Sequence, residues 1–289
     1  MLVDRAREAG ISVTTSLPRP ARTHRVPTRL GGLHVRETGA GPTALLWHGA
    51  FVDGTSWNRI VPALAMRRRL LIVDGPGHGH SDALARRSSI DECVEVATEL
   101  LDGLGVDTAI DWVGNAWGGH VGIELAAAHP GRVRSLVAVA SPTEPPDEAL
   151  RRRLGMLVPL IRLIGATGAV HRAILEAQLT SASRSDRVVR ALVDDALARA
   201  SPASLSRALA SFVVDRDDST PRLPAIGAPA LFVASDDLGE WSPADAAAAA
   251  DLARHAESVV VSGARTLVPL ERPEILAEHI LRLWSTTRP

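Results

Sequence analysis

The stretch Asp111-Trp112-Val113-Gly114-Asn115-Ala116-Trp117-Gly118-Gly119 constrains this fold more than any other. It joins an apolar strand to a helix through a turn flanked by Gly114 and Gly118. The G-x-S-x-G pattern holds its central residue on a strained strand-to-helix turn, exposed above a parallel sheet. That residue is normally a nucleophile, and here it is Ala116. A methyl group cannot attack a carbonyl, an epoxide or a carbon–halogen bond.

The rest of the chain supplies the sheet that such a turn needs. Strands are predicted over Thr43–Trp47, Leu70–Asp74, Ile110–Asn115, Val133–Ala140, Ala230–Ser235 and Ser258–Val261. Runs such as Leu70-Leu71-Ile72-Val73 are apolar on both sides, as expected of parallel strands covered on both faces. Ahead of them, Arg25 to Leu30 and Leu33 to Glu37 flank Gly31-Gly32, the pattern of a hairpin. Helices alternate with the strands and carry start signals. Ser89 to Glu92 makes a capping box. Ser201-Pro202 and Ser242-Pro243 each place a cap before a proline at the first helical position. A last helix starts near Pro273.

Between about Pro142 and Leu223 the strands stop. Apolar residues recur there at helical spacing through Leu150–Ile164, Val170–Leu179, Val188–Leu197 and Leu205–Val214. The predicted organisation is a polar leader over 1–24, a core over 25–141 and 224–289, and a helical cap over 142–223. The cap is entered and left through proline-rich segments, Ser141–Pro146 and Asp215–Pro224, that suit hinges.

Hydrophobic residues make up 46% and charged residues 22% of the chain, which suits a globular fold with a full core. A net charge of −1 gives no attraction to nucleic acid or to an anionic membrane. Arg67-Arg68-Arg69 and Arg151-Arg152-Arg153 read as solvated faces. Cys93 is the one cysteine, at an apolar helical position, and reads as a buried inert thiol. Asp4, Arg5, Arg7 and Glu8 stand where a signal peptide would need an apolar run. No apolar stretch is long enough to cross a bilayer, so a cytoplasmic protein is expected. No cofactor is implied. No histidine or carboxylate grouping has metal-ligand spacing, and Gly75–Gly79 departs from the dinucleotide fingerprint.

Five landmarks carry a resemblance. They are His48-Gly49-Ala50-Phe51, the loop Asp74-Gly75-Pro76-Gly77-His78-Gly79-His80-Ser81-Asp82, the turn Gly114 to Gly119, the pair Asp236-Asp237, and Gly263 to Pro273. In this order and spacing, from about Arg25 to Trp284, the chain resembles the α/β-hydrolase superfamily. The resemblance implies an α/β fold: a mostly parallel central sheet with flanking helices and a helical cap insertion. It also implies a nucleophile at Ala116, an acid at Asp237 (Asp236 being its neighbour), and a histidine at Thr266. Two of those three positions are therefore substituted. The Ala116-Trp117-Gly118-Gly119 context also resembles the D-W-G-G of haloalkane dehalogenases and epoxide hydrolases, whose aspartate nucleophile Ala116 likewise removes.

The resemblance implies an oxyanion hole made by the main-chain N–H of Trp117 with that of Ala50 or Phe51, which survives loss of the side chains. His48 reads as structural, and is the best remaining candidate for acid/base work because imidazole titrates near neutrality. Asp53 reads as a solvated loop carboxylate, with a place at the pocket mouth as the other reading. Arg265 is placed to pair with Asp237 where the histidine would stand. Asn115, Trp57, Trp117 and Trp241 are candidate pocket residues, with core packing the blander reading of each tryptophan. Met156, Leu157, Leu160, Ile161 and Ile164 would wall the pocket from the cap. With Ala116 and Thr266 both small, a roomy apolar cavity for a small apolar organic molecule is expected. The functional expectation is a non-hydrolytic catalyst of cyclase, lyase or isomerase type. The alternatives are a non-catalytic binding protein and a hydrolase with a non-standard catalytic set.

Overall fold

The computed structural model describes residues 22–237 and 239–287. Most of the predicted leader lies outside the described residues, but Arg22, Thr23 and His24 already belong to the first strand. The strands are β1 (Arg22–Thr28), β2 (Gly31–Gly39), β3 (Thr43–Trp47), β4 (Arg69–Asp74), β5 (Ile110–Asn115), β6 (Val133–Val139), β7 (Ala230–Ser235) and β8 (Ala256–Val261). They form one sheet in the order β1-β2-β4-β3-β5-β6-β7-β8. β1 with β2 and β2 with β4 pair antiparallel, and every later pair is parallel. The five-residue β3 and the six-residue β5 are buried along their whole length, the two-sided burial that their apolar runs anticipate.

The hairpin turn differs from the expectation by two residues. Thr28 already pairs with Gly31, so the turn is Arg29-Leu30 and Gly31 opens β2. Gly31 takes φ of 107°, which fits a glycine directly after the turn.

The helices are α1 (Val61–Leu64), α2 (Ile90–Gly103), α3 (Trp117–Ala128), α4 (Glu148–Ile164), α5 (Gly168–Gln178), α6 (Ser181–Ser185), α7 (Arg187–Arg199), α8 (Pro202–Leu209), α9 (Pro243–Leu252), α10 (Val268–Glu271) and α11 (Pro273–Thr286). The Ser89, Ser201 and Ser242 side chains accept from the N–H groups of Glu92, Ser204 and Asp245, so all three predicted caps are formed. Between Val139 and Ala230 the described residues contain no strand. α4, α5, α7 and α8 share an apolar core of their own, which reaches Phe51, Leu267 and Leu270 of the sheet domain.

Several exposure readings need correction. Of the proposed cap walls, only Ile161 is fully buried. Met156, Leu160 and Ile164 lie on the outer surface of α4, at 69%, 40% and 47% exposure. In the run Arg67–Arg69, Arg67 is exposed but Arg68 and Arg69 are not part of a solvated face. Arg68 Nε donates to Asp111 at 2.6 Å, and Arg69 Nε to Glu37 at 2.9 Å. Asp111 is fully buried and also takes Arg134 and the Ser135 hydroxyl. Cys93 is buried, and burial pushes its thiol well up. No helix among the described residues is long and apolar enough to cross a membrane.

Candidate active site

The elbow is formed by two glycines that admit no side chain. A Cβ on Gly114 would lie 2.1 Å from the Gly118 carbonyl oxygen, and one on Gly118 2.0 Å from that of Trp47. β5 and the first turn of α3 are thereby pressed together. The residue between them takes the strain, with Ala116 at φ 48° and ψ −112°. Its N–H donates to Val139 O at 2.7 Å, and its carbonyl accepts from Gly119, His120 and the Ser141 hydroxyl. The backbone of an elbow is complete, with a methyl group at its apex.

The loop after β3 lies against this apex. A Cβ on Gly49 would sit 3.5 Å from that of Ala116. Gly118 N–H donates to His48 O at 3.2 Å. Among the described residues, the main-chain N–H groups of Ala50, Phe51 and Trp117 donate to nothing. Buried amides are rarely left unpaired, so these three are free for a ligand oxygen. The Trp117 ring stacks on Phe212 with centroids 4.4 Å apart, holding the start of α3 in place.

His48 is enclosed and spoken for. Its Nδ1 lies 2.7 Å from Gly49 O, and its Nε2 accepts from Gly75 N–H at 2.8 Å. Burial, then repulsion from the neighbouring His78, push its pKa down to about 4, against weaker support from Gly49, Asp74 and Asp53. The ring is a neutral spacer between two loops, with no nitrogen presented to the elbow. Asp53 is not solvated: it is 1% exposed. Burial works to raise its carboxyl, but Arg199 from α7 at 2.8 Å and the Thr55 N–H and hydroxyl outweigh it and hold the pKa below its usual value. Asp53 therefore fastens the helical insertion to the sheet domain.

At the histidine position, Thr266 is fully buried under the insertion. Its N–H and that of Leu267 both donate to Gln178 O, at 3.2 and 3.3 Å. Its Oγ1 lies 3.5 Å from Ala177 O. The end of α5 thus occupies the space an imidazole would need. Arg265 turns to Asp237, donating from Nη2 to Oδ1 at 2.8 Å and from Nε to the main-chain O at 2.9 Å. Asp236 instead accepts from Gly263 N–H, and that bond with its Ser262 contact holds its carboxyl low. Asn115 Nδ2 bridges Thr266 O and Val139 O, tying the two degenerate positions together, while its Oδ1 has no partner.

The site is therefore covered. Ala116 is 7% exposed, Ala50 6% and Phe51 8%. Trp57 packs away from it with Ile60, Leu64 and Ile72. Trp241 lies in the main core, its ring 5.3 Å from that of Phe232. Three residues that fasten or flank the site were not singled out in the sequence. Gln178 acts through its main chain, which no side-chain pattern reports. Glu271 is buried and accepts from Thr180 and Arg265 N–H, although it sits in an ordinary-looking E-R-P-E stretch. Arg216 stands among three aspartates in what reads as a polar hinge, yet it is 7% exposed.

Comparison with known proteins follows the same lines. A pimeloyl-[acyl-carrier protein] methyl ester esterase from Nitrosomonas europaea is 38% identical over 112 residues, 39% of this chain and 42% of that protein. The dihydrolipoyllysine-residue acetyltransferase component of the acetoin cleaving system of Pseudomonas putida is 31% identical over 253 residues, 84% of this chain and 64% of that protein. The chain thus spans less than two thirds of either relative. The enol-lactonase from Burkholderia xenovorans LB400 superposes with a TM-score of 0.83 at 22% identity, over 91% of this chain and 100% of that one. These names correct the functional expectation: the curated relatives include a methyl ester esterase and, at 36% identity over 124 residues, a bifunctional epoxide hydrolase 2 of Mus musculus, which are hydrolytic by name and so count against the cyclase, lyase or isomerase reading. The family described as alpha/beta hydrolase fold matches residues 42–237, and with the sheet order, the elbow and the loop after β3 in place, the chain belongs to that family.

Proposed function

We propose that this chain is a slow, triad-less hydrolase of small organic carbonyl compounds, esters or enol-lactones by the names of its relatives. The substrate carbonyl oxygen rests on the N–H of Trp117 and that of Ala50 or Phe51. Water attacks the carbonyl carbon directly; the carbon–oxygen bond to the leaving group breaks, and the proton passes to that group through solvent. The observation that carries this reading is the retained elbow, which aims the unpaired Trp117 N–H although Ala116 offers no nucleophile. Each preorganised donor contributes roughly 3 kcal/mol to the transition state. An oxyanion hole and binding alone leave about 10³–10⁴-fold catalysis over water once a triad is gone, and that is the enhancement expected here. On this reading His48 and Asp237 are scaffold, and the helices over 142–223 form a cap that keeps bulk water out.

Hydrolysis of p-nitrophenyl acetate in ¹⁸O-water tests it. A saturable rate above buffer is expected, with no burst, no acyl adduct by mass spectrometry and one ¹⁸O in the acetate. An acyl adduct on any side chain sinks the proposal. A second reading, non-catalytic binding of a small molecule, draws support from the Arg265–Asp237 ion pair where a proton relay would run. Saturable binding with turnover no faster than buffer selects it.

A further inference from the structure

One cavity of about 30 Å³ lies off the elbow, between the start of α2, the outer face of α3 and the linker Asp215–Ser219. It has room for about two waters or one compact ion. Arg216 lines it and makes no hydrogen bond or ion pair with any described residue, although the side chain is 93% buried by its 7% exposure and Nη1 is fully enclosed. His120 lines it too, 4% exposed, with Nδ1 enclosed and unpartnered. An enclosed guanidinium nitrogen and an enclosed imidazole nitrogen without partners are a costly arrangement in a native interior.

The carboxylates nearby do not supply the missing contact. Glu240, Glu144 and Asp218 act on Arg216 only at a distance, and burial outweighs them, lowering its pKa to about 10. Of the carboxylates lining the cavity, Asp215 is bound by Arg87 at 2.8 Å and Glu124 by Arg222 at 3.4 Å. Asp91 and Asp217 stand in solvent, where water screens them.

We propose that this cavity is a subsite for a compact monoanion, a carboxylate group or a halide, held by the Arg216 guanidinium and a His120 ring N–H. The planar fork of Arg216 matches a carboxylate bidentately. His120 follows Ala116 by one turn of α3, its N–H donating to Ala116 O at 3.1 Å. The His120 backbone lies roughly 6 Å of helix rise from the elbow. The ligand assigned to this subsite is a short acidic ester or lactone, which carries a carboxylate and is not wholly apolar. Assigning the anion to a substrate rests on the hydrolase reading; the subsite itself does not.

Two arms separate these. In the first, thermal unfolding is followed while formate or chloride replaces gluconate at constant ionic strength. The wild-type midpoint rises saturably, Arg216→Gln shows no rise, and Arg216→Lys, with charge but no fork, a weaker one. In the second, kcat/KM is compared for mono-p-nitrophenyl succinate and p-nitrophenyl butyrate. A charge-assisted pair is worth about tenfold or more, so the acid-over-neutral ratio falls at least about tenfold in Arg216→Gln. A rise with a fallen ratio identifies the substrate carboxylate, and a rise with an unchanged ratio a free ion. No anion-dependent rise in the wild type means a water-filled cavity and overturns the proposal. If no ester is turned over, the hydrolase reading fails while the first arm still decides the subsite.

Discussion

Replacing Ala116 with glycine tests whether the elbow stores strain. At φ 48° and ψ −112° a residue with a Cβ pays roughly 1–3 kcal/mol, and glycine pays almost nothing there. Two terms oppose the gain. Glycine enlarges the unfolded ensemble, at about 0.4–1 kcal/mol, and the lost methyl, only 7% exposed, forfeits about 0.8 kcal/mol of burial. The net effect runs from about 0.8 kcal/mol of loss to about 1.8 kcal/mol of gain, centred on a gain of about 0.5 kcal/mol. The control is Ala126→Gly, in the last turn of α3 and 1% exposed. There no strain is relieved, and propensity and burial together cost about 2 kcal/mol. Urea unfolding followed by tryptophan fluorescence measures both. If Ala116→Gly loses as much as Ala126→Gly, the elbow is unstrained and the geometry on which the oxyanion hole depends is misread.

Three further outcomes are expected. Burial lowers the pKa of His48, His78 and His120 from an ordinary 6.5, so the unfolded chain binds protons that the folded chain refuses. Stability is therefore full above that value and falls as pH drops through the window down to about 4 set by His48. From pH 7 to 5.5 the loss from His48 is about 1 kcal/mol, His78 and His120 add losses of the same sign, and a flat urea midpoint over this range would show that they protonate in place. Asp111→Asn strands Arg68 and Arg134, whose side chains are 12% and 14% exposed, and is expected to cost about 3 kcal/mol; a loss under about 1 kcal/mol in the same assay would mean that water already serves the two arginines. Ala116→Ser with Arg265→Gly and Thr266→His rebuilds nucleophile, freed acid and base. Turnover of p-nitrophenyl acetate should rise at least about 100-fold with an acyl burst, well short of the 10⁶ that a full triad is worth, because the end of α5 crowds the new imidazole. An unchanged linear rate would show that Asp237 cannot be recruited.

The sheet was legible because burial on both faces writes itself into sequence as runs like Leu70–Val73, and the helix starts because a capping serine acts within four residues of itself. What was misread depends on neighbours distant in the chain. Asp53 looks like any loop carboxylate until Arg199, from an insertion 146 residues away, closes on it. Arg68 looks solvated until β4 places it beside Asp111. α4 looks like a pocket wall because its apolar residues keep helical period, yet period says that a face exists and not which way it turns. The elbow was readable from local motif spacing, whereas the contact of the Gln178 main chain with Thr266 was not.

The elbow's strain and its lost chemistry have separate causes. Gly114 and Gly118 leave no room for relaxation, since a Cβ on either would meet Gly118 O or Trp47 O at a distance no side chain tolerates. The backbone at position 116 is thus dictated by how α3 packs on the sheet, whatever side chain stands there. Strain at Ala116 is consequently no relic that points to a missing serine. It follows from a packing that also leaves the Trp117 N–H without a partner, a main-chain donor that side-chain substitution cannot erase. A chain under no demand to bind would gain by filling this amide with its own carbonyl, as it has filled the imidazole space with α5. That the donors at Trp117, Ala50 and Phe51 stay empty while the neighbouring space is occupied is the argument for a ligand oxygen there.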